Sequence, residues 1–473
     1  MRVLLFHGYM LRGTGSNIYN ANLAPALARL GHEVHLLCQD REVELEGVQI
    51  HNPDIGGLLP VYVKDPYEGF EVKAFEELTE AELDRYIDAN VAAVRQVAEK
   101  AGGIDFALAN HLVMGPAILA RANVAPFAAK IHGSALEYTV KPHPRFLPYA
   151  EEGVRAASGV LVGSGHTARS LWAALPNIPD LEQKTRLGPP GVDIDRFRPR
   201  EPADAQREPA DGGPAGEVFV LGPPSSGSHR GALVVFVGKL IVSKGVDLLL
   251  AAWPLVRAAH PEAKLQIVGY GEYEDGLRRL LGALERGDLD DAREVARLGW
   301  ALEGGEEKPL KVLSAFLADP PEGYVGAVKA AAGSIEWLGR QEHDVVAELL
   351  PQAEALVMPS TFPEAFGMVA AEAAACGVLP VSAGHSGMLE VSRQLAADLP
   401  DEVAGLTSFP VEPGAVEAIA ARLDAWLAMP EAERESARAA LVATVRRLWS
   451  WEGVARGVLA AAAANLDELP SPV

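Results

Sequence analysis

Residues 355–377 read ALVMPSTFPEAFGMVAAEAAACG. The opening ALVMPS is a short apolar run closed by proline and serine, which predicts a buried strand. From Gly367 onward the small and apolar residues continue too long for a strand and predict a helix ending at Gly377. The stretch is therefore a β-loop-α unit, the repeating piece of a parallel sheet. It holds two carboxylates, Glu364 in the loop and Glu372 in the helix, with seven residues between them. Paired acids can be a general acid and base, two metal ligands, or two acceptors for a polyhydroxy ligand. With a helix starting near Gly367, Glu372 lies about 7 Å further along the axis than the end of the loop. That separation disfavours a shared metal and favours an elongated ligand. Phe366, Gly367 and Met368 occupy the helix start, where unpaired N–H groups and the positive dipole end suit an anion. A plainer reading has Glu364 capping the helix and Glu372 on the surface.

The same pattern extends in both directions. Upstream stand ALVVFVG (232–238), KLQIVG (264–269) and SIEWLG (334–339), and downstream VLPVSA (378–383), with helical segments between most of them. The first 200 residues repeat the scheme with RVLLF, EVHLLC, DFALAN, FAAKIHG and GVLVGS. This predicts an α/β chain of two Rossmann-like doubly wound domains in tandem. The expected boundaries are an N-terminal domain at 1–199 and a Pro/Gly/Ser-rich linker at 200–230. A C-terminal domain follows at 231–450, and a final helical segment occupies 451–473. Within the C-terminal domain, about fifty residues near 281–333 exceed an ordinary connection and read as a partly helical insertion.

Composition agrees. The chain has 473 residues, 49% of them hydrophobic and 22% charged, which fits two packed cores and excludes wholesale disorder. A formal net charge of -22 argues against nucleic acid as partner and against a broad grip on anionic lipid. Any anion must be held locally. Cys38 and Cys376 are too few and too distant for a disulfide framework or a zinc site, so no metal is expected and a reducing cytoplasm fits. MRVLLFHGYM is too short in its apolar run for a signal peptide, and no stretch approaches ~20 uninterrupted apolar residues. Peripheral association with a membrane surface stays open, and the sequence carries no signal for oligomeric state.

Several other residues invite a chemical reading. Gly13 and Gly15 in HGYMLRGTGSN stand between a strand and a helix, where a phosphate or a bare turn is equally served. Asp40 is an ambiguous ribose ligand. Gly238 and Lys239 follow a buried strand directly, and Lys244 precedes Gly245 and the next helix. Two ammonium groups at the C-terminal end of a parallel sheet can neutralise a diphosphate, or can be solvated loop lysines. His132 in KIHGS, like His7 and His111, stands at a strand end and reads on its own as a core histidine. Lys141, His143 and Arg145 read as a solvated loop, with an anionic acceptor as the sharper alternative.

Taken in order, these segments resemble the retaining GT-B glycosyltransferases of family 4. PSTFPEAFGMVAAEAAACGVLPVSA resembles that family's Glu, seven residues, Glu signature, and VGKLIVSKGVDLLLAA its phosphate-binding strand and loop. GPPGVDIDRFRP, GTGSNIYNANLAPALARLGHEVHLL and HSGMLEV are similar to further family segments. The resemblance implies two domains facing a central cleft, with a nucleotide-diphosphate sugar as co-substrate and no other cofactor. The donor would be a UDP-sugar first, a GDP- or ADP-sugar otherwise. The acceptor would be a sugar or small metabolite. By position, Lys239 and Lys244 would hold the diphosphate, Glu364 the transferred sugar and Glu372 the ribose. Gly15, Gly238, Phe366, Gly367 and Met368 would line the donor, and His132 would lie near the reaction centre. The mechanism implied is front-face attack, in which the departing phosphate oxygen takes the acceptor's proton and no protein nucleophile is needed.

Departures from the pattern are a lysine at 239 where arginine is commoner, Pro190 where asparagine is usual, and Ser386 where a second glycine is common. The first replaces a bidentate fork with a point charge. The last helices resemble those that cross back onto the acceptor domain. Competing readings are a glycosidase acid/base pair, a nucleotide-sugar epimerase of the same architecture, and a non-catalytic nucleotide- or glycan-binding protein.

Overall fold

The computed structural model describes residues 1–13, 15–62, 67–200 and 232–472. Apart from Arg200, the expected linker at 200–230 lies outside the described residues. Fifteen strands occur among the described residues. They are β1 (Arg2–Phe6), β2 (Glu33–Leu37), β3 (Val48–His51), β4 (Leu58–Val61), β5 (Glu71–Ala74), β6 (Phe106–Asn110), β7 (Phe127–Ile131), β8 (Gly159–Val162) and β9 (Thr185–Leu187), then β10 (Leu233–Val237), β11 (Lys264–Val268), β12 (Ile335–Gly339), β13 (Ala355–Met358), β14 (Leu379–Ala383) and β15 (Ser408–Phe409).

The chain divides into two compact units. Unit 1 comprises Met1–Asp193, Glu364–Met368 and Trp449–Val473. Its main sheet has seven parallel strands in the order β3-β2-β1-β6-β7-β8-β9, beside a small β4-β5 pair. The central strands are apolar because both faces are covered, except toward their carboxyl ends, where β6 carries Asn110 and β7 carries Lys130. In β1, Val3 and Leu5 join Tyr19, Leu23 and Leu27 of the helix Gly15–Arg29 and Trp451 and Val458 of the helix Trp451–Ala462. Leu4 and Phe6 point the other way, into a core with Ile87, Val94 and Ile118. Alternation with period two on a continuous apolar run thus builds two half-cores from one strand.

Unit 2 comprises Ile194–Pro363 and Val369–Leu448, and its sheet has six parallel strands in the order β12-β11-β10-β13-β14-β15. The expected insertion start near 281 falls inside the helix Glu274–Arg286. The added segment is mostly helical, with Leu289–Leu298, Lys311–Ala318 and Tyr324–Ala331. The Tyr324 hydroxyl ties it to the unit by donating to the Ala251 carbonyl at 2.8 Å.

In each sheet the chain leaves a central strand in one direction and returns on its other side. The strand order reverses between β1 and β6 in unit 1, and between β10 and β13 in unit 2. Ligands of doubly wound sheets bind beyond the carboxyl ends of the strands at such a switch point.

Candidate functional site

In unit 2 the switch point brings together the loops after β10 and β13. Lys239 follows Gly238 off the end of β10, and Lys244 closes a single turn of 3-10 helix, Val242–Lys244. Both lysines are half-buried. Gly245 then takes φ +64, and a Cβ there would stand 2.1 Å from the Pro359 carbonyl oxygen, so only glycine lets the two loops touch. The Thr361 N–H donates to the Ser243 carbonyl at 2.8 Å, and the Leu240 N–H to Tyr270 at 2.8 Å. The lysine loop is thereby fixed before any ligand arrives. Behind it Asp247, 2% exposed, enters the helix Val246–Ala259, and burial pushes its carboxyl up to about 7.

The loop after β13 carries Glu364, half-buried, then Phe366 and Gly367, both buried. Gly367 has φ +125, a conformation that only glycine adopts without strain, and the helix Met368–Ala375 follows at once. Glu372 is the helix's fifth residue. The plainer reading of it as a surface residue is wrong: it is 5% exposed, and its Oε1 lies 3.0 Å from Nε2 of His343. The ring of His343 in turn meets Phe197 at 4.8 Å. A carboxylate has a second oxygen and spare lone pairs for a ligand, so the imidazole orients Glu372 without exhausting it. Nothing in the sequence near QEHDVV marks His343, because its partner is 29 residues away.

The segment Glu364–Met368 groups with unit 1. There the position of a Cβ on Gly15 lies 3.6 Å from the sulfur of Met368, and the Phe366 ring stands perpendicular to Trp449 at 5.3 Å. Gly15 itself is exposed and opens the helix Gly15–Arg29.

The ends of β1, β6 and β7 in unit 1 carry a polar chain. His132 Nε2 lies 2.8 Å from Asn110 Oδ1, and Asn110 Nδ2 donates to Asn20 Oδ1 at 2.8 Å. Asn20 Nδ2 is 3.0 Å from His7 Nδ1, whose Nε2 faces Asn17 Oδ1 at 2.9 Å. The Asn110 amide nitrogen is spent on Asn20 and Phe6, so Oδ1 must accept and His132 Nε2 must carry the proton. Burial, then the histidine and lysine neighbours, drives the His132 pKa well below its ordinary value, so the ring is neutral with its lone pair on Nδ1. His7 falls to about 4 for the same first reason, and His111 falls well below its ordinary value. His111 packs between Tyr62 and His132, at 4.8 and 4.9 Å between ring centroids.

Lys130, unmarked by the sequence reading, shares the face of His132 two residues on. It is 2% exposed, packs 5.5 Å from the Tyr19 ring centroid and donates to the Gly188 carbonyl at 2.5 Å. Burial lowers its pKa to about 7.

Two of the weaker candidates are structural. Asp40 is buried and accepts from the N–H groups of Leu11, Glu42 and Val43, with the Arg12 guanidinium 3.4 Å away, so it closes a turn and is no ribose ligand in this arrangement. Arg145 donates to the carbonyls of Phe75 and Leu78, and Lys141 pairs with Glu137. Among the described residues no group of three or more His, Cys, Asp or Glu side chains is placed to hold a metal ion, and no helix is long and apolar enough to cross a membrane.

Comparison with known proteins bears on both units. Residues 13–196 match the model Glycosyltransferase Family 4, and residues 231–313 and 329–441 match two models of Glycosyl transferases group 1. A D-inositol 3-phosphate glycosyltransferase of Segniliparus rotundus is 29% identical over 317 residues, covering 67% of this chain and 53% of that relative. A GDP-mannose-dependent monoacylated alpha-(1-6)-phosphatidylinositol monomannoside mannosyltransferase of Corynebacterium glutamicum is 28% identical over 295 residues, covering 61% of this chain and 58% of that relative. The alignments thus span little more than half the length of these two relatives. Among solved structures, the Anabaena protein HepE in complex with UDP-glucose superposes with a TM-score of 0.58 at 16% identity, over 99% of this chain and 100% of that one. The fold class is GT-B.

Proposed function

The chain belongs to the group 1, family 4 glycosyltransferases, and from that premise we propose that it transfers a hexosyl unit, with retention, from a nucleotide-diphosphate sugar to an acceptor hydroxyl. The observation that carries the proposal is the pair Lys239 and Lys244 on a backbone fixed at the unit 2 switch point, where a doubly wound sheet binds its ligand. The donor diphosphate takes the two ammonium groups and the helix start at Gly367. Glu372, oriented by His343, takes the ribose, and Glu364 takes hydroxyls of the transferred sugar. Gly15, Gly238, Phe366 and Met368 complete the donor's surroundings.

In the reaction the bond from the anomeric carbon to the diphosphate oxygen breaks and the acceptor oxygen bonds the same face. The leaving phosphate oxygen takes the acceptor's proton. Lys239 and Lys244 stabilise the charge developing on the diphosphate, which is where positioned cations lower a barrier most. His132, neutral with its Nε2 proton given to Asn110, can accept a hydrogen bond from the sugar at Nδ1 and adds no competing positive charge. A UDP-sugar is the first donor to test, given that HepE binds UDP-glucose, with GDP- and ADP-sugars next. The acceptor class is a sugar or small metabolite, since a chain of net charge -22 gives little general attraction to an anionic surface.

A thermal-shift panel of nucleoside diphosphates and nucleotide sugars identifies the donor, and product analysis of the best pair gives the anomeric configuration. Glu364→Gln should lower transfer at least about a hundredfold while leaving nucleoside diphosphate affinity within about threefold. Equal loss of both contradicts the role given to Glu364.

A further inference from the structure

The insertion near 281–333 has no part in the reaction as described, yet it reaches the lysine loop. Its turn Trp300–Glu303 is braced on itself: the Trp300 N–H donates to the Lys308 carbonyl at 3.2 Å and the Gly305 N–H to the Trp300 carbonyl at 3.0 Å. Lys308 also sits 5.2 Å from the Trp300 ring centroid, and the Leu310 N–H donates to Ala296 at 2.8 Å. From this braced turn Glu303 extends its carboxylate to accept the Val242 N–H at 2.7 Å.

Val242 opens the turn that ends in Lys244. The other fixed N–H groups of that loop are held by backbone: Leu240 by Tyr270, Lys244 by Ile241 and Gly245 by Val242. Val242 alone among these four is held by a side chain, and that side chain comes from 61 residues away. The carboxylate is half-buried, with a pKa raised by burial against the opposing pull of the Val242 N–H. A half-buried carboxylate accepting a main-chain N–H makes a stronger hydrogen bond than a neutral acceptor and holds the donor's backbone in place.

We propose that Glu303 is a positioning residue of the donor site: through the Val242 N–H it sets the turn that presents Lys244, so the insertion tunes the grip on the donor's diphosphate. This rests on the donor-site reading above. Glu303 touches no reacting atom in this scheme. Its effect passes through Lys244, which the proposal sets on the phosphate that a nucleoside monophosphate lacks.

The test compares the full-length wild type with Glu303→Ala and Glu303→Gln, each titrated with UDP, GDP and ADP and with the matching monophosphates. Glu303→Ala should weaken the best diphosphate about tenfold and leave its monophosphate unchanged. Glu303→Gln, whose amide oxygen can accept the same N–H, should stay within about threefold of wild type on both. A general loss of folding would lower both ligands together and show in the unfolding midpoint. If Glu303→Ala does not fold, Glu303→Asp, which withdraws the carboxylate by one methylene, carries the same comparison. Unchanged diphosphate affinity, or equal loss of diphosphate and monophosphate, overturns the inference while leaving the donor site standing. A folded wild type that binds no diphosphate overturns both.

Discussion

Asp247 shows how far burial can move one group beside the lysine loop. Its carboxyl titrates near 7 in the folded protein against 3.8 ordinarily, and one oxygen has no hydrogen-bond partner. Between those values the folded state holds a proton that the unfolded state has released. Stability due to this group is therefore greatest at the acid end, falls as pH rises through the window, and is level above about 7. Over the whole window the change is up to about 4 kcal/mol. Asp247→Asn should remove this slope, so urea unfolding at pH 5 and pH 8 should differ less in the variant than in wild type. An unchanged difference contradicts the assignment. On a base the same effect lowers the pKa: burial keeps His132 neutral, so the ring can accept a hydrogen bond but is no acid.

At the scale of elements, the contact between the loops after β10 and β13 depends on one missing side chain. Gly245→Ala would drive a Cβ to 2.1 Å from the Pro359 carbonyl oxygen at φ +64. The loops must part, at a cost of about 1–3 kcal/mol, and diphosphate affinity should fall with them. A variant as stable as wild type by denaturant unfolding, and binding as well, would show that the contact is dispensable.

The βα unit around Glu364 and Glu372 was legible because a buried parallel strand is a bare apolar run and the small, apolar residues after its loop run too far for a second strand. The same holds for the strands at RVLLF, DFALAN and FAAKI. The short edge strands β3, β9 and β15 were not, having four, three and two residues and little apolar content to distinguish them from loops. Lys239, Lys244 and Gly245 could be placed by their spacing from a strand end. His343 and Glu303 could not, since each acts on a residue distant in sequence, and only the folded chain brings the partners together. Glu372 was misjudged in its plainer reading for a different reason: a helix of small residues has a weak amphipathic pattern, so its burial all round, from Ala370 to Ala375, cannot be read from the sequence.

For the molecule as a whole, both units repeat one principle, a parallel sheet whose strand order reverses at its centre and whose polar side chains gather at the carboxyl ends there. Unit 1 gathers asparagines and neutral histidines, suited to hydroxyl groups. Unit 2 gathers lysines on a rigid loop, suited to a diphosphate. In a chain of net charge -22, recognition of an anion calls for a local group of cations of this kind. The central claim is that this pair holds the donor's diphosphate, and calorimetric titration of wild type and Lys244→Ala with UDP, GDP and ADP tests it most directly. Saturable binding of at least one diphosphate, weakened at least about tenfold in Lys244→Ala with folding intact, is the predicted result. A folded wild type that binds none of them, or a Lys244→Ala variant that binds as tightly, would contradict it.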